Sequence, residues 1–313
     1  MTSKKSYPLF SAVIAILLIA SVSLSGCLNT DDPADEHDHG HGDQNAAYDP
    51  LDNASVHQIV NGSKILVAAS VVPQTEFIEK IGGDNVIAIS MIPSGAGHTY
   101  DPSPRQLEDL SKADLYMQLG SGEPFETDNM PTFKELNPNM TVINSSKGIA
   151  LIQGDSHIWT SPKAAMTMAE NTYKGLVSVD ASNESYYRAN ADACIQELEA
   201  LDAELTTDLS GLKSRHFMVY HPAWGYFARD YNLTQIAIEV DGKEPAPQDV
   251  VNFIGIAKDN NVSVIFVQEQ VSVSGASAIA EGVGGSVYVL DPLAKNYIEN
   301  MREVGHALAD KMS

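Results

Sequence analysis

Residues 183–213 read NESYYRANADACIQELEALDAELTTDLSGLK. No Gly or Pro interrupts the stretch before Gly211, and Cys194, Leu198, Leu201, Leu205, Leu209 and Leu212 recur three or four residues apart. That spacing predicts one long amphipathic helix. Cys194 falls on the apolar stripe, so a small buried side chain is expected there rather than a reactive thiol. A helix of roughly 30 residues spans about 45 Å, long for a crossover within a single sheet. The stretch is therefore read as a rigid connection, over residues 181–214, between two separate domains.

The flanking sequence agrees with this division. Before the helix come four short apolar runs, KILVAAS (64–70), NVIAISMIP (85–93), DLYMQLG (114–120) and TVINSS (141–146). After it come HFMVY (216–220), LTQIAIEV (233–240), VSVIFVQEQ (262–270) and SVYVLDP (286–292). Helix-like segments such as QTEFIEKIG and SPRQLEDLSKA separate the runs, and strands alternating with helices predict parallel sheets. The expected fold is two Rossmann-like α/β domains, 63–180 and 215–313, with parallel sheets and a long rigid linker helix.

The N-terminus carries different signals. Lys4 and Lys5 precede an uncharged apolar run from Pro8 to Leu24 that ends in LSGC, the pattern of an export signal over residues 1–27. LSGC is similar to a lipobox, whose cysteine, here Cys27, would carry lipid. A transmembrane anchor is the alternative, but about 17 apolar residues fall short of a span. With Cys27 lipidated, Cys194 has no disulfide partner within the mature chain. Residues 28–62 hold eight acids and no Lys or Arg, and a disordered acidic tether is expected there. Its EHDHGHG segment sets His37, His39 and His41 among carboxylates, a composition able to hold divalent metal weakly as an auxiliary site.

A net charge of −22, from 41 acids against 19 bases, argues against nucleic acid as a partner, because phosphates require Lys and Arg. Cationic ligands suit the balance better, although solubility alone also explains it. Asn-x-Ser/Thr sequons occur at Asn53, Asn61, Asn139, Asn144, Asn183, Asn232 and Asn261. Chance would supply roughly two or three, so surface glycosylation of an exported protein is expected.

Ligands of open parallel sheets sit beyond the carboxyl ends of the strands. His98 follows the second strand through a GAG bend, His157 lies in the GDSHIW loop, His221 directly ends a strand, and Asp291 ends VYVL. Singly, each has an ordinary reading as a turn cap, loop residue, core histidine or N-cap. Together, three imidazoles and a carboxylate at the rims of two sheets are the inventory of a closed first-row metal site. Glu123 and Glu269 stand on the same rim and are candidates to accept a ligand imidazole N–H. His216 and His306 are read as structural.

These segments resemble a known family in order and content. HTYDPSPRQLEDLSKADLYMQLG (98–120), SHIWTSP (156–162), YHPAWGYFARDY (220–231), VIFVQEQ (264–270) and VLDPL (289–293) are similar to the ligand segments of metal-binding solute-binding proteins of ABC importers, the ZnuA, TroA and PsaA-like group. The resemblance covers about residues 64–313. QEQ stands where that group usually has E-P-Q, so the alignment of Glu269 is looser than that of the ligands. The resemblance implies metal held between two domains by His98, His157, His221 and Asp291.

Three imidazoles favour zinc, whereas a bidentate Asp291 would keep manganese or iron open. The expected function is a monomeric, lipid-anchored zinc-binding protein on the extracytoplasmic membrane face, delivering metal to an ABC permease and its ATPase without catalysing a reaction. Two other classes are weighed. A zinc hydrolase would need an open coordination position and a general base, and no H-E-x-x-H occurs. A surface adhesin on the same fold would lack a permease encoded beside it.

Overall fold

The computed structural model describes residues 48–239, 243–268 and 274–313. Cys27, His37, His39, His41 and Glu269 lie outside these residues. The first sheet contains β1 (Ile65–Val71), β2 (Val86–Ile92), β3 (Leu115–Gln118) and β4 (Thr141–Asn144), all parallel, in the order β2-β1-β3-β4. The second contains β5 (His216–Val219), β6 (Thr234–Ala237), β7 (Val264–Val267) and β8 (Ser286–Val289), again parallel, in the equivalent order β6-β5-β7-β8. β1 is buried along nearly its whole length, as is β7. Strands covered on both faces need continuous apolar side chains, which is why both read as uninterrupted runs.

The helices cover the sheets. In the N-terminal domain they are α1 (Asn53–Val60), α2 (Val72–Gly82), α3 (Pro104–Leu110), α4 (Pro124–Leu136) and α5 (Pro162–Val179). α6 (Glu184–Asp208) is the linker, and α7 (Gly225–Asp230), α8 (Pro247–Asp259), α9 (Ser274–Val283) and α10 (Tyr297–Met312) follow. With 25 residues α6 is shorter than the periodicity predicted, at about 38 Å. The Arg215 guanidinium ends it, with Nη1 donating to the Leu209 carbonyl (2.8 Å) and Nη2 to that of Ser210 (3.0 Å). These bonds satisfy carbonyls that a continuing helix would have used.

One continuous apolar core runs from the first sheet through α5 and α6 to Phe217 of β5 and Tyr297, Met301 and Leu308 of α10. A second, smaller core lies on the other side of the second sheet, with Ile265 of β7 and Ile279 of α9 among its members. Cys194 is buried in the first core, and burial pushes its thiol up to about 12. This is the environment of an inert side chain.

The tether expected over 28–62 requires correction at its end. Tyr48 Oη donates to Asp109 Oδ2 (3.0 Å), the Leu51 N–H reaches the same oxygen (3.3 Å), and Arg105 Nη2 donates to the Leu51 carbonyl (3.0 Å). Leu51 is buried, and α1 follows with Asp52 capping its N-terminus through Ser55 N (2.6 Å). Asp109 is fully buried on α3, and a buried carboxylate requires such donors. Composition averaged over 35 residues concealed this short anchoring segment.

Candidate metal centre

His98 sits in the loop between β2 and α3. That loop is pinned by the buried Gln106 side chain, whose Nε2 donates to the Met91 carbonyl (2.8 Å) and whose Oε1 accepts from Ser103 N (3.0 Å) and Tyr100 Oη (2.6 Å). The Ser103 hydroxyl in turn caps Gln106 N (3.3 Å), and Pro104 opens α3. A capping box preceded by a constrained loop holds the imidazole at the carboxyl end of the first sheet. His157 lies in the long connection between β4 and α5, just before a 3-10 turn over Ile158–Thr160, and His221 lies two residues beyond β5.

The three rings converge. Nε2 of His221 is 3.2 Å from Nε2 of His98 and 3.2 Å from Nε2 of His157. Each ring turns its other nitrogen to a carboxylate. His98 Nδ1 donates to Glu123 Oε1 (2.8 Å), His157 Nδ1 to Asp155 Oδ1 (2.8 Å), and His221 Nδ1 to Glu239 Oε1 (2.9 Å). A carboxylate accepts, so Nδ1 must carry the proton, and each neutral ring presents a bare lone pair at Nε2. Lone pairs facing one another at 3.2 Å repel unless a proton or a metal cation lies between them. Zinc–nitrogen bonds of about 2.0–2.1 Å in tetrahedral geometry set ligand atoms about 3.3 Å apart, close to the spacing found.

Electrostatics follow the same plan. The hydrogen bond that His98 donates to Glu123 holds the imidazole above the usual histidine range despite burial. His157 is only 7% exposed, and burial depresses its basicity more than Asp155 restores it. Burial alone would raise Glu123, but the His98 and Ser156 hydrogen bonds outweigh it and keep the carboxyl below its ordinary value. Ser156 Oγ donates to Glu123 Oε2 at 2.6 Å.

Potential ligand atoms of His98, His157 and His221 all lie within 4.8 Å of one another. Asp291 is outside that group but lines the same cavity, of about 480 Å³, together with Glu123 and Glu239. Asp291 Oδ1 accepts from Leu293 N (2.8 Å), which orients the loop after β8. The next residue, Pro292, accepts from Trp159 Nε1 of the first half (2.7 Å), so the His157 and Asp291 loops are tied together across the cleft.

Two carboxylates at the site escaped the sequence reading. Asp155 stands two residues before His157, within the GDSHIW loop already singled out. Glu239 ends the apolar run LTQIAIEV and was open to the rim rule applied elsewhere. Of the two expected orienting carboxylates, Glu123 lies against His98. His216 opens β5, and His306, on α10, faces Glu204 (3.3 Å) and Asp208 (3.4 Å) of α6.

Residues 67–311 match the family model described as "Zinc-uptake complex component A periplasmic", ZnuA. The chain belongs to the ZnuA family. Similar ZnuA-family relatives include the high-affinity zinc uptake system protein ZnuA of Bacillus subtilis, 28% identical over 284 residues, 80% of this chain and 88% of that protein. A putative metal-binding protein of Chlamydia muridarum is 25% identical over 249 residues, 78% of this chain and 90% of the other. A crystal structure of ZnuA superposes with a TM-score of 0.77 at 40% identity, covering 80% of this chain and 100% of that one. The laminin-binding protein Lmb of Streptococcus agalactiae, described as having adhesin and metal-transporting activity, superposes at 0.72 with 28% identity over 80% of this chain and 100% of that one. The two-domain α/β architecture is thus that of the ZnuA family.

Proposed function

We propose that the protein is the extracytoplasmic binding component of an ABC importer, carrying a divalent first-row cation, preferentially zinc, to the permease. The observation that carries this reading is the set of three imidazole lone pairs converging at 3.2 Å, each ring oriented by its own carboxylate. Asp291 is the fourth ligand in this reading, and its charge with three neutral imidazoles suits zinc better than the harder manganese. The boundaries adopted are 63–180, onto which residues 48–62 are anchored, 181–214 and 215–313, with Cys27 as the lipid-bearing residue and the molecule acting as a monomer.

The reading is one of carriage rather than catalysis. A closed set of protein ligands strips water from the cation and leaves no position for a reacting water molecule. Release then requires the permease to pull the two halves apart. Titration calorimetry of metal-stripped protein with zinc and with manganese tests the assignment. Zinc is expected to bind more tightly, and His221→Ala to lose most of that affinity. Unchanged zinc affinity in His221→Ala would sink the site, and tighter manganese binding would reverse the choice of metal.

A further inference from the structure

Metal carriage leaves the sequon excess unexplained, and the fold gives it a spatial pattern. Four sequon asparagines, Asn61, Asn139, Asn232 and Asn261, are exposed and sit in turns between a helix and the strand that follows. The turns are α1–β1, α4–β4, α7–β6 and α8–β7. The strands run parallel within each sheet, so these turns all lie at amino ends. The metal-facing residues His98, Glu123, His221, Glu239 and Asp291 all follow carboxyl ends. In both domains the sequons are therefore one strand length away from the cleft, about 13–23 Å for strands of four to seven residues.

Local geometry suits an acceptor. In Asn139-Met140-Thr141, Asn232-Leu233-Thr234 and Asn261-Val262-Ser263 the middle residue is buried while the asparagine is exposed. Asn232 and Asn261 have φ of 54° and 55°, the left-handed turn conformation. Among the described residues, no hydrogen bond engages Nδ2 of any of the four; only Asn61 Oδ1 is used, accepting from Ser63 N (3.0 Å). Two other sequons differ. Asn144 follows the opposite rule, at a carboxyl end, with Oδ1 accepting from Ser146 N and Oγ (both 2.7 Å) and Gly120 packed so closely that a Cβ there would lie 2.1 Å from it. Asn183 commits Nδ2 to Asp180 Oδ2 (2.6 Å).

We infer that the amino-end face is a glycan-bearing face: Asn61, Asn139, Asn232 and Asn261 accept N-linked sugar, whereas Asn144 and Asn183 do not. The donor is a glycan on a lipid phosphate, used by a membrane transferase. A bond forms between Nδ2 and the anomeric carbon, and the bond from that carbon to the phosphate oxygen breaks. The lipid phosphate leaves with the electron pair, and the Nδ2 proton passes to a base of the transferase. Carbohydrate then covers the side away from the metal rim and leaves the rim clear for docking. The competing explanation is that asparagine stands in these turns only because it tolerates positive φ at helix ends.

Intact mass and peptide mapping of the full-length protein from its native membrane decide between them. Sugar-sized increments are expected on the peptides holding the four turn asparagines, with Asn144 and Asn183 bare. Asn→Gln at each turn position should remove one increment, and the fourfold variant should keep zinc affinity within about twofold, since one strand length separates the two faces. An intact mass equal to the polypeptide with or without its lipid overturns the proposal, as does sugar on Asn144 or Asn183. Neither outcome bears on zinc binding, which calorimetry measures separately.

Discussion

Each imidazole of the candidate metal centre has two ends, one nitrogen turned to the other rings and one bonded to a carboxylate. Glu239→Ala removes the acceptor of His221 Nδ1–H, frees the ring to rotate or change tautomer, and is expected to weaken zinc binding about 10–100-fold; calorimetry reads this directly. Protons compete with zinc for the same rings. Because Glu123 raises His98 above its ordinary 6.5, affinity present in alkali should begin to fall above pH 6.5 as His98 takes up a proton. His157, whose basicity burial lowers, should add to the loss only below that value. Zinc affinity measured across pH 5–8 checks this; a flat profile down to pH 6 contradicts it. The three converging histidines were legible as candidates because strand ends are where parallel sheets place chemistry. Their pairings were not, because which carboxylate meets which Nδ1 depends on register. Val219 of β5 pairs with Ala237 of β6, and two residues further that alignment sets His221 beside Glu239.

At the scale of elements, α6 shows how far periodicity reaches. Four of its six buried residues, Cys194, Leu198, Leu201 and Leu205, were on the predicted stripe, which Tyr187 and Ala191 extend toward the N-terminus. Its end falls at Asp208, short of the stripe's Leu212, and Arg215 takes the carbonyls of the two residues that follow, Leu209 and Ser210, a contact the helical period does not specify. Leu205 is fully buried, and Gly305 of α10 lies against it so closely that a Cβ at 305 would lie 2.0 Å from Leu205 Cδ2. Leu205→Ala therefore opens a cavity where α6 meets α10 and should cost about 2–5 kcal/mol, measured by denaturant unfolding. A loss below 1 kcal/mol would mean that α10 closes the gap by shifting. The anchoring of residues 48–60 on Asp109 belongs to the same lesson: a short segment held by a buried carboxylate leaves little trace in composition.

Across the whole molecule, one apolar core joins the first sheet, α6 and α10 to β5. Polar ties reinforce it at the cleft, where Tyr297 N donates to Glu76 and Trp159 Nε1 to Pro292 O. Zinc binding across such a cleft should stabilise the folded chain by about 4 kcal/mol at a thousandfold excess over Kd, and chelation should lower the melting temperature accordingly. A melt insensitive to chelator would exclude a bridging cation. By itself, the sequence determined the two α/β halves, the linker helix and the four candidate ligands, because strand burial, helix period and rim position are all local properties. Only the tertiary structure decided that the imidazoles converge at Nε2, which carboxylate orients each ring, and that the four sequons in helix-to-strand turns share the opposite face. Those facts depend on strand register and on two sheets meeting at their carboxyl ends, which residues far apart in the chain establish only once packed together.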